Sequence, residues 1–242
     1  MIGHPAFADS EFDQYAGDYD SLLSQGLAVS GEGKEYFAEG RVAWLKDRLD
    51  ECGVKARRIL DFGCGTGDTA DRLQRRFAAD CVIGVDPSSP LVQRAALQYG
   101  RSNVRFHELR GYVPAEERDL VYCNGVFHHI PPRSRSSVAR YIWSALRPGG
   151  VFAFWENNPW NPGTRYVMSR IAFDRDAVTL TSGQARELLQ ATGFHILRTD
   201  YLFVFPRALR VLRSLEGRLS RYPIGAQYLV LARKATRMAH CA

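Results

Sequence analysis

No apolar run in the 242 residues approaches the roughly 18–20 that a membrane-spanning helix needs. The longest, such as "YLFVF" at 201–205, have the length of a strand. The opening stretch "MIGHPAFADSEFDQY" lacks the basic start and apolar centre of a secretory signal, so a soluble cytoplasmic protein is expected. Cysteine is sparse: there are five, an odd number, and none are spaced C-x-x-C. Cys64, Cys81 and Cys123 fall in or beside apolar strand-like runs and read as buried, reduced thiols. No His/Cys cluster has zinc spacing. His128 and His129 are adjacent, but neighbours on an extended chain point to opposite sides, and no third ligand stands at helical spacing. No metal site is expected. Internal repeats and low-complexity linkers are absent as well, which leaves one large domain or two small ones.

What is present suits a buried core. Apolar residues make up 45% of the chain. The net charge is +6, and much of the excess lies late, at Arg207, Arg210, Arg213, Arg218 and Arg221, opposed only by Glu216. Such a stretch can attract an anionic substrate, a lipid surface or RNA, or can simply be a solvated helix face. It lacks the interleaved aromatics that stack bases.

Residues 1–50 look helical, with Phe37, Val42, Leu45 and Leu49 at helical spacing before Gly53. Short apolar runs then alternate with helical stretches. Strands are predicted over 57–62, 81–86, 103–109, 119–127 and 150–156. Helices are predicted over 68–78, after Ser88 with Ser89 as cap and Pro90 at the first position, and over about 134–146. This alternation means a parallel sheet covered on both faces, with the C-terminal strand ends gathered on one edge. Beyond 156 come a Pro-rich loop, "NNPWNPGTR", and the helix "SGQARELLQATG". Two strands follow, "FHILRTDYLFVF" and "QYLVLAR", with the Arg-rich helical insertion between them. They suggest a terminal antiparallel pair.

"LDFGCGTGD" at 60–68 raises the functional question. Gly63, Gly65 and Gly67 depart from the G-x-G-x-x-G spacing of nicotinamide sites, because the third glycine comes one residue early and Asp68 takes its place. Carboxylates at Asp61 and Asp68 suit a cation and oppose a phosphate. By itself the loop also reads as a tight turn. Asp86 ends the second predicted strand, about 20 residues on, where a carboxylate can accept both hydroxyls of a ribose. Ribose, positive charge and no phosphate together fit S-adenosyl-L-methionine (SAM).

The chain resembles the class I, Rossmann-like SAM-dependent methyltransferases over most of its length. "ILDFGCGTGD", "VIGVDPS", "DLVYCNGVFHHIP" and "ALRPGGVFAFWE" are similar to four of their motifs, in order. The resemblance implies an α/β fold: a doubly wound, seven-stranded, mostly parallel sheet with the last strand antiparallel and helices on both faces. It implies one domain, with an N-terminal helical cap region over 1–56, a SAM-binding core over 57–156, and acceptor-side loops and C-terminal strands over 157–242. By position, Asp61, Gly63, Cys64 and Gly65 would surround the methionine part of SAM. Asp86 would take the ribose diol, Pro87 would pack near the adenine, and Asn124 would meet the ligand through its backbone. Tyr19, Tyr36 and Arg41 resemble residues that cover the cofactor, and Arg41 could pair with its carboxylate. The acid expected near the adenine amino group is missing, since Leu109 and Arg110 stand there.

On the acceptor side, His129 follows strand four and Glu156 ends strand five. Either could be a general base, while His128 reads as structural. "NNPW" at 157–160 resembles the motif of base-amino methyltransferases but follows the wrong strand, which disfavours nucleic acid. Asn157, Asn158, Trp160 and Arg165 are instead expected to shape an acceptor pocket. The leading expectation is methyl transfer to oxygen or nitrogen of a small sugar, natural-product or lipid-like acceptor. RNA methylation and a non-catalytic SAM-binding scaffold are the alternatives. The oligomeric state stays open.

Overall fold

The computed structural model describes residues 11–236. Seven strands form one sheet: β1 (Arg58–Phe62), β2 (Cys81–Asp86), β3 (Val104–Glu108), β4 (Arg118–Asn124), β5 (Leu146–Asn157), β6 (Phe194–Leu202) and β7 (Gln227–Lys234). Their order is β3-β2-β1-β4-β5-β7-β6. The β1–β2, β1–β4, β2–β3 and β4–β5 pairs are parallel, and β7 runs antiparallel to both β5 and β6. The expected architecture is therefore present. Strand order reverses between β1 and β4, so a crevice opens beyond their C-terminal ends.

Among the described residues, eight α-helices accompany the sheet: α1 (Tyr19–Leu27), α2 (Lys34–Glu51), α3 (Asp68–Phe77), α4 (Ser89–Tyr99), α5 (Arg135–Ala145), α6 (Pro162–Arg170), α7 (Ser182–Ala191) and α8 (Glu216–Leu219). The two-residue period of the strands divides the core. Leu60, Phe62, Val121 and Phe154 face α5 and α7, meeting Val138, Ile142 and Leu189. Ile59, Leu120, Tyr122 and Trp155 belong to the opposite layer with Val42, Leu45 and Leu49 of α2 and Leu73 of α3. Alternation also turns Asp61 toward the α2 and α3 side. Among the described residues, no helix is long and apolar enough to cross a membrane.

Local departures from the expectations have local causes. The cap of α4 is Ser88, one residue earlier than expected, and no side chain bonds the helix end. The Ser88 hydroxyl is instead directed to Asp13, 2.6 Å away. Strand β5 begins at Leu146, because the Pro-Gly-Gly stretch continues the ladder through a shift in register opposite Arg118 and Leu120. The Pro-rich loop becomes α6, with Asn161 accepting the Thr164 N–H at 3.0 Å and Pro162 in the first turn. The Arg-rich insertion is mostly 3-10 helix, over Arg207–Leu215.

Candidate active site

The chain between β1 and α3 turns through three glycines with positive φ: Gly63 at 76°, Gly65 at 51° and Gly67 at 85°. L side chains rarely adopt that backbone region. A Cβ on Gly63 would stand 2.3 Å from the Val126 side chain. On Gly67 it would stand 2.7 Å from Ala95 of α4 and 2.9 Å from the Phe106 ring of β3, so Gly67 lets helix and sheet close together. Gly67→Ala is expected to lower stability by about 1–3 kcal/mol through overpacking alone. An unchanged urea midpoint would remove that role.

Asp86 links this turn to the next. Its carboxylate accepts the backbone N–H of Gly65 and that of Ser88, each at 2.9 Å. Burial pushes its carboxyl up to about 6, against those two N–H groups and with help from Asp13. At the end of β1, Asp61 is 2% exposed, and its Oδ2 has no hydrogen-bond partner among the described residues. Burial, then Asp68 and Asp86, hold its carboxyl well above the usual range, with Arg41 opposing. The Oδ1 of Asn124, at the end of β4, is likewise without a partner. Unpaired buried oxygens are costly in a folded protein. Here they stand beside a backbone turn kept clear of side chains, a fit for a cationic, hydroxyl-bearing ligand.

A cavity of about 910 Å³ opens at this edge of the sheet. Gly63, Gly65, Asp86, Pro87 and Asn124 line it, and so do Tyr19, Tyr36, Arg41 and His129. Cys64 lies behind the turn, where its buried side chain packs toward Gly84, so only its backbone belongs to the loop. Leu109, the departure from the family pattern, also lines the cavity, while Glu108 is exposed and does not. Tyr19 stacks on Phe173, with centroids 5.0 Å apart. The Arg213 guanidinium lies 4.4 Å over the Tyr36 ring and bonds Glu32 at 2.9 Å. Arg41 is buried, donating to the Tyr122 hydroxyl at 3.0 Å and to the Gln227 amide oxygen at 2.9 Å.

The two histidines do not point apart. Gly125, with φ of 67°, turns the chain out of β4, and residues 127–129 form a 3-10 turn. Successive side chains there are separated by about 120°, not the 180° of a strand. The rings lie 4.1 Å apart. Both Nε2 atoms approach the same Oδ1 of Asp174, at 3.5 Å from His128 and 3.3 Å from His129. Glu156 is held behind them and does not line the cavity. Its carboxylate meets His128 Nδ1 at 2.5 Å and accepts the Phe127 N–H at 2.7 Å. With both oxygens committed, Glu156 positions His128 and does not reach an acceptor. Burial works against charge on His128, but Glu156 and Asp174 outweigh it and raise the ring to about 10. Burial keeps His129 below its usual value.

Three further corrections concern the acceptor side. Asn158 is structural, donating to the carbonyls of Pro223 and Gly225 at 3.0 and 2.8 Å. Trp160 is 58% exposed, and neither it nor Arg165 lines the cavity. Asn157 does, with Asn161, Thr164 and Met168 from the α6 region. Asp174, Phe12 and Phe173 carried no sequence signal. Phe12 nevertheless packs edge-on against His129, with centroids 4.8 Å apart.

Residues 59–150 match the family model described as a methyltransferase domain. Among curated proteins, the chain is 29% identical over 130 residues to a trans-aconitate 2-methyltransferase of Agrobacterium fabrum, covering 52% of this chain and 49% of that one. It is 35% identical over 96 residues to the Deinococcus radiodurans protein of the same name, covering 40% and 36%. The chain thus spans about half the length, or less, of these curated relatives. Among solved structures, a SAM-dependent methyltransferase from Mesorhizobium loti superposes with a TM-score of 0.59 at 22% identity, covering 81% of this chain and all of that one. Motifs, sheet order and family model agree: residues 59–150 match a methyltransferase domain, and the chain has the fold of the class I SAM-dependent methyltransferases.

Proposed function

We infer that the protein transfers the methyl group of SAM to an oxygen or nitrogen of a small molecule with an apolar body. The observation that carries this reading is the lining of the cavity. It holds the glycine turn and Asp86, beside the unpartnered Asp61. It also holds the apolar side chains of Val167, Met168, Ile171 and Phe203. Its volume, about 910 Å³, is near the top of the roughly 300–1,000 Å³ range of ligand pockets, which suits two ligands side by side.

Asp86 would hold the ribose hydroxyls and Asp61 would face positive charge, which aligns the donor. When bound, SAM supplies an activated methyl group: the bond from sulfur to methyl carbon breaks as the acceptor's lone pair bonds that carbon, leaving S-adenosylhomocysteine and one proton from the acceptor. Tyr19, stacked on Phe173, and Tyr36 would cover the pair from the N-terminal helices and exclude water, so that alignment does most of the work. His129 would contact the acceptor, being the histidine nearer the surface of the cavity wall.

The curated relatives are named for trans-aconitate, a small polycarboxylate. Three cations that line this cavity already have partners: Lys34 bonds Asp20 at 2.7 Å, Arg213 bonds Glu32, and Arg41 is committed to Tyr122 and Gln227. Arg133 lines the cavity as well and is exposed, which leaves it to meet a carboxylate on an acceptor whose body is apolar. The late arginines brace the cavity mouth: Arg207 donates to the Gly31 carbonyl at 3.3 Å, and Arg213 to that of Phe205 at 3.2 Å. This use disfavours RNA. Replacing the exposed Arg210 and Arg218 by alanine is expected to leave turnover unchanged from low to high salt. A loss confined to low salt would point to an anionic macromolecule, since salt screens such contacts.

Incubation with methyl-labelled SAM and fractionated cell extract tests the reading. Label is expected in an organic-extractable small molecule. Label in RNA or protein, or none anywhere, would overturn it.

A further inference from the structure

We propose that His128, His129 and Asp174 bind a divalent transition-metal ion, zinc by preference, whose open position faces the acceptor. Three observations carry this. First, the three donor atoms lie within 4.8 Å of one another, at the wall of the cavity. Second, the two separations to Asp174 are those of a shared ion. Ligand atoms about 2.0–2.1 Å from zinc at tetrahedral angles stand roughly 3.3–3.4 Å apart. His129 Nε2 and His128 Nε2 lie 3.3 and 3.5 Å from Asp174 Oδ1. Both are longer than the 2.7–2.9 Å usual for a charge-assisted N–H to carboxylate bond. Third, the outer contact is in place. A metal-binding histidine ordinarily gives its other ring nitrogen to a carboxylate, which fixes the ring and its tautomer. Glu156 does this for His128, from Nδ1 at 2.5 Å, and is itself fixed by the Phe127 N–H.

Asp174 and both histidines are held by separate elements, the turn after α6 and the turn after β4, with Phe12 and Phe173 packed around His129. Two imidazoles and one carboxylate suit zinc, whose binding displaces the Nε2 proton of His128 to water, and three protein ligands leave the fourth position for an exchangeable oxygen. The inference rests on the methyl-transfer reading for what that oxygen is: a hydroxyl of the acceptor. Bound there, the hydroxyl becomes more acidic and releases its proton to water. Its oxygen then takes the methyl group, and the electron pair of the broken bond stays on sulfur. The protein would thereby activate an oxygen acceptor without a side-chain base.

The test begins with wild-type protein dialysed against a chelator and checked for residual metal by mass spectrometry. Calorimetric titration with Zn²⁺ alone is expected to show one ion per chain. Asp174→Asn and His129→Ala should abolish or greatly weaken that binding, and Glu156→Gln should weaken it tenfold to hundredfold. The exposed His107, replaced by alanine, should not matter. Should the ligand variants fail to fold, Co²⁺ bound to wild-type protein is expected to give the intense visible bands of a four-coordinate site, removed by Zn²⁺. Absence of a stoichiometric ion, six-coordinate Co²⁺ spectra, or unchanged binding in a folded Asp174→Asn protein would overturn the proposal. SAM affinity of the metal-free protein is read separately. Its loss alone would count against the methyl-transfer reading and leave the metal site standing.

Discussion

Glu156→Ala is expected to lower the stability of the protein by about 3–5 kcal/mol, the usual cost of removing one partner of a buried ion pair. Glu156 is 1% exposed and His128 3%. The substitution leaves the His128 ring without its carboxylate and the Phe127 N–H without an acceptor. For a chain of this size the melting temperature should fall by on the order of 10 °C. Glu156→Gln keeps the shape and an acceptor for Phe127, so it should lose less. Calorimetric melting of the two variants checks the order. If Glu156→Ala melts with the wild type, Glu156 does not hold the histidine turn.

Asp86→Asn is expected to weaken SAM binding tenfold to hundredfold. Hydrogen bonds to a charged group are worth about 1.5–3 kcal/mol, and 1.4 kcal/mol is a factor of ten in affinity. The wild type should also show a pH dependence of known sign. Burial raises the Asp86 carboxyl from 3.8 to about 6. Between those values the folded protein keeps a proton that the unfolded chain has released. Stability therefore falls as pH rises through the window, by about 3 kcal/mol at 1.36 kcal/mol per unit, and stays level above it. A ribose diol donates to the ionised form. SAM affinity should then rise about tenfold per unit up to about pH 6 and flatten above. Asp61, raised by burial and by its neighbours Asp68 and Asp86, would widen the rise. Calorimetric titration from pH 5 to 8 measures this. Affinity unchanged in folded Asp86→Asn would take Asp86 out of the site.

Features set by spacing along one or two elements could be read from the chain. Gly63 and Gly65 follow β1 and Asp86 ends β2, its parallel neighbour, so strand period and loop length place them together. The sheet was legible for the same reason, as was the terminal antiparallel pair. The histidine cluster was not. Its geometry depends on Gly125 leaving β4 with positive φ and on a 3-10 turn, where an extended chain had been expected. Its third member, Asp174, comes from "AFDRDA", which has no pattern of its own and reaches the site only because α6 forms from the Pro-rich loop. The same helix explains why Asn158 and Trp160 missed the cavity while Asn157, Asn161 and Thr164 line it.

The proposed placing of donor and acceptor in the cavity is tested most directly by a crystal structure with S-adenosylhomocysteine bound. The ribose hydroxyls are expected within hydrogen-bond distance of the Asp86 carboxylate. The homocysteine part should lie along Gly63 and Gly65, and the sulfur should face the chamber that His129 and Asn157 line. A ligand seated elsewhere, or one whose ribose avoids Asp86 and whose sulfur faces away from His129, would contradict the account.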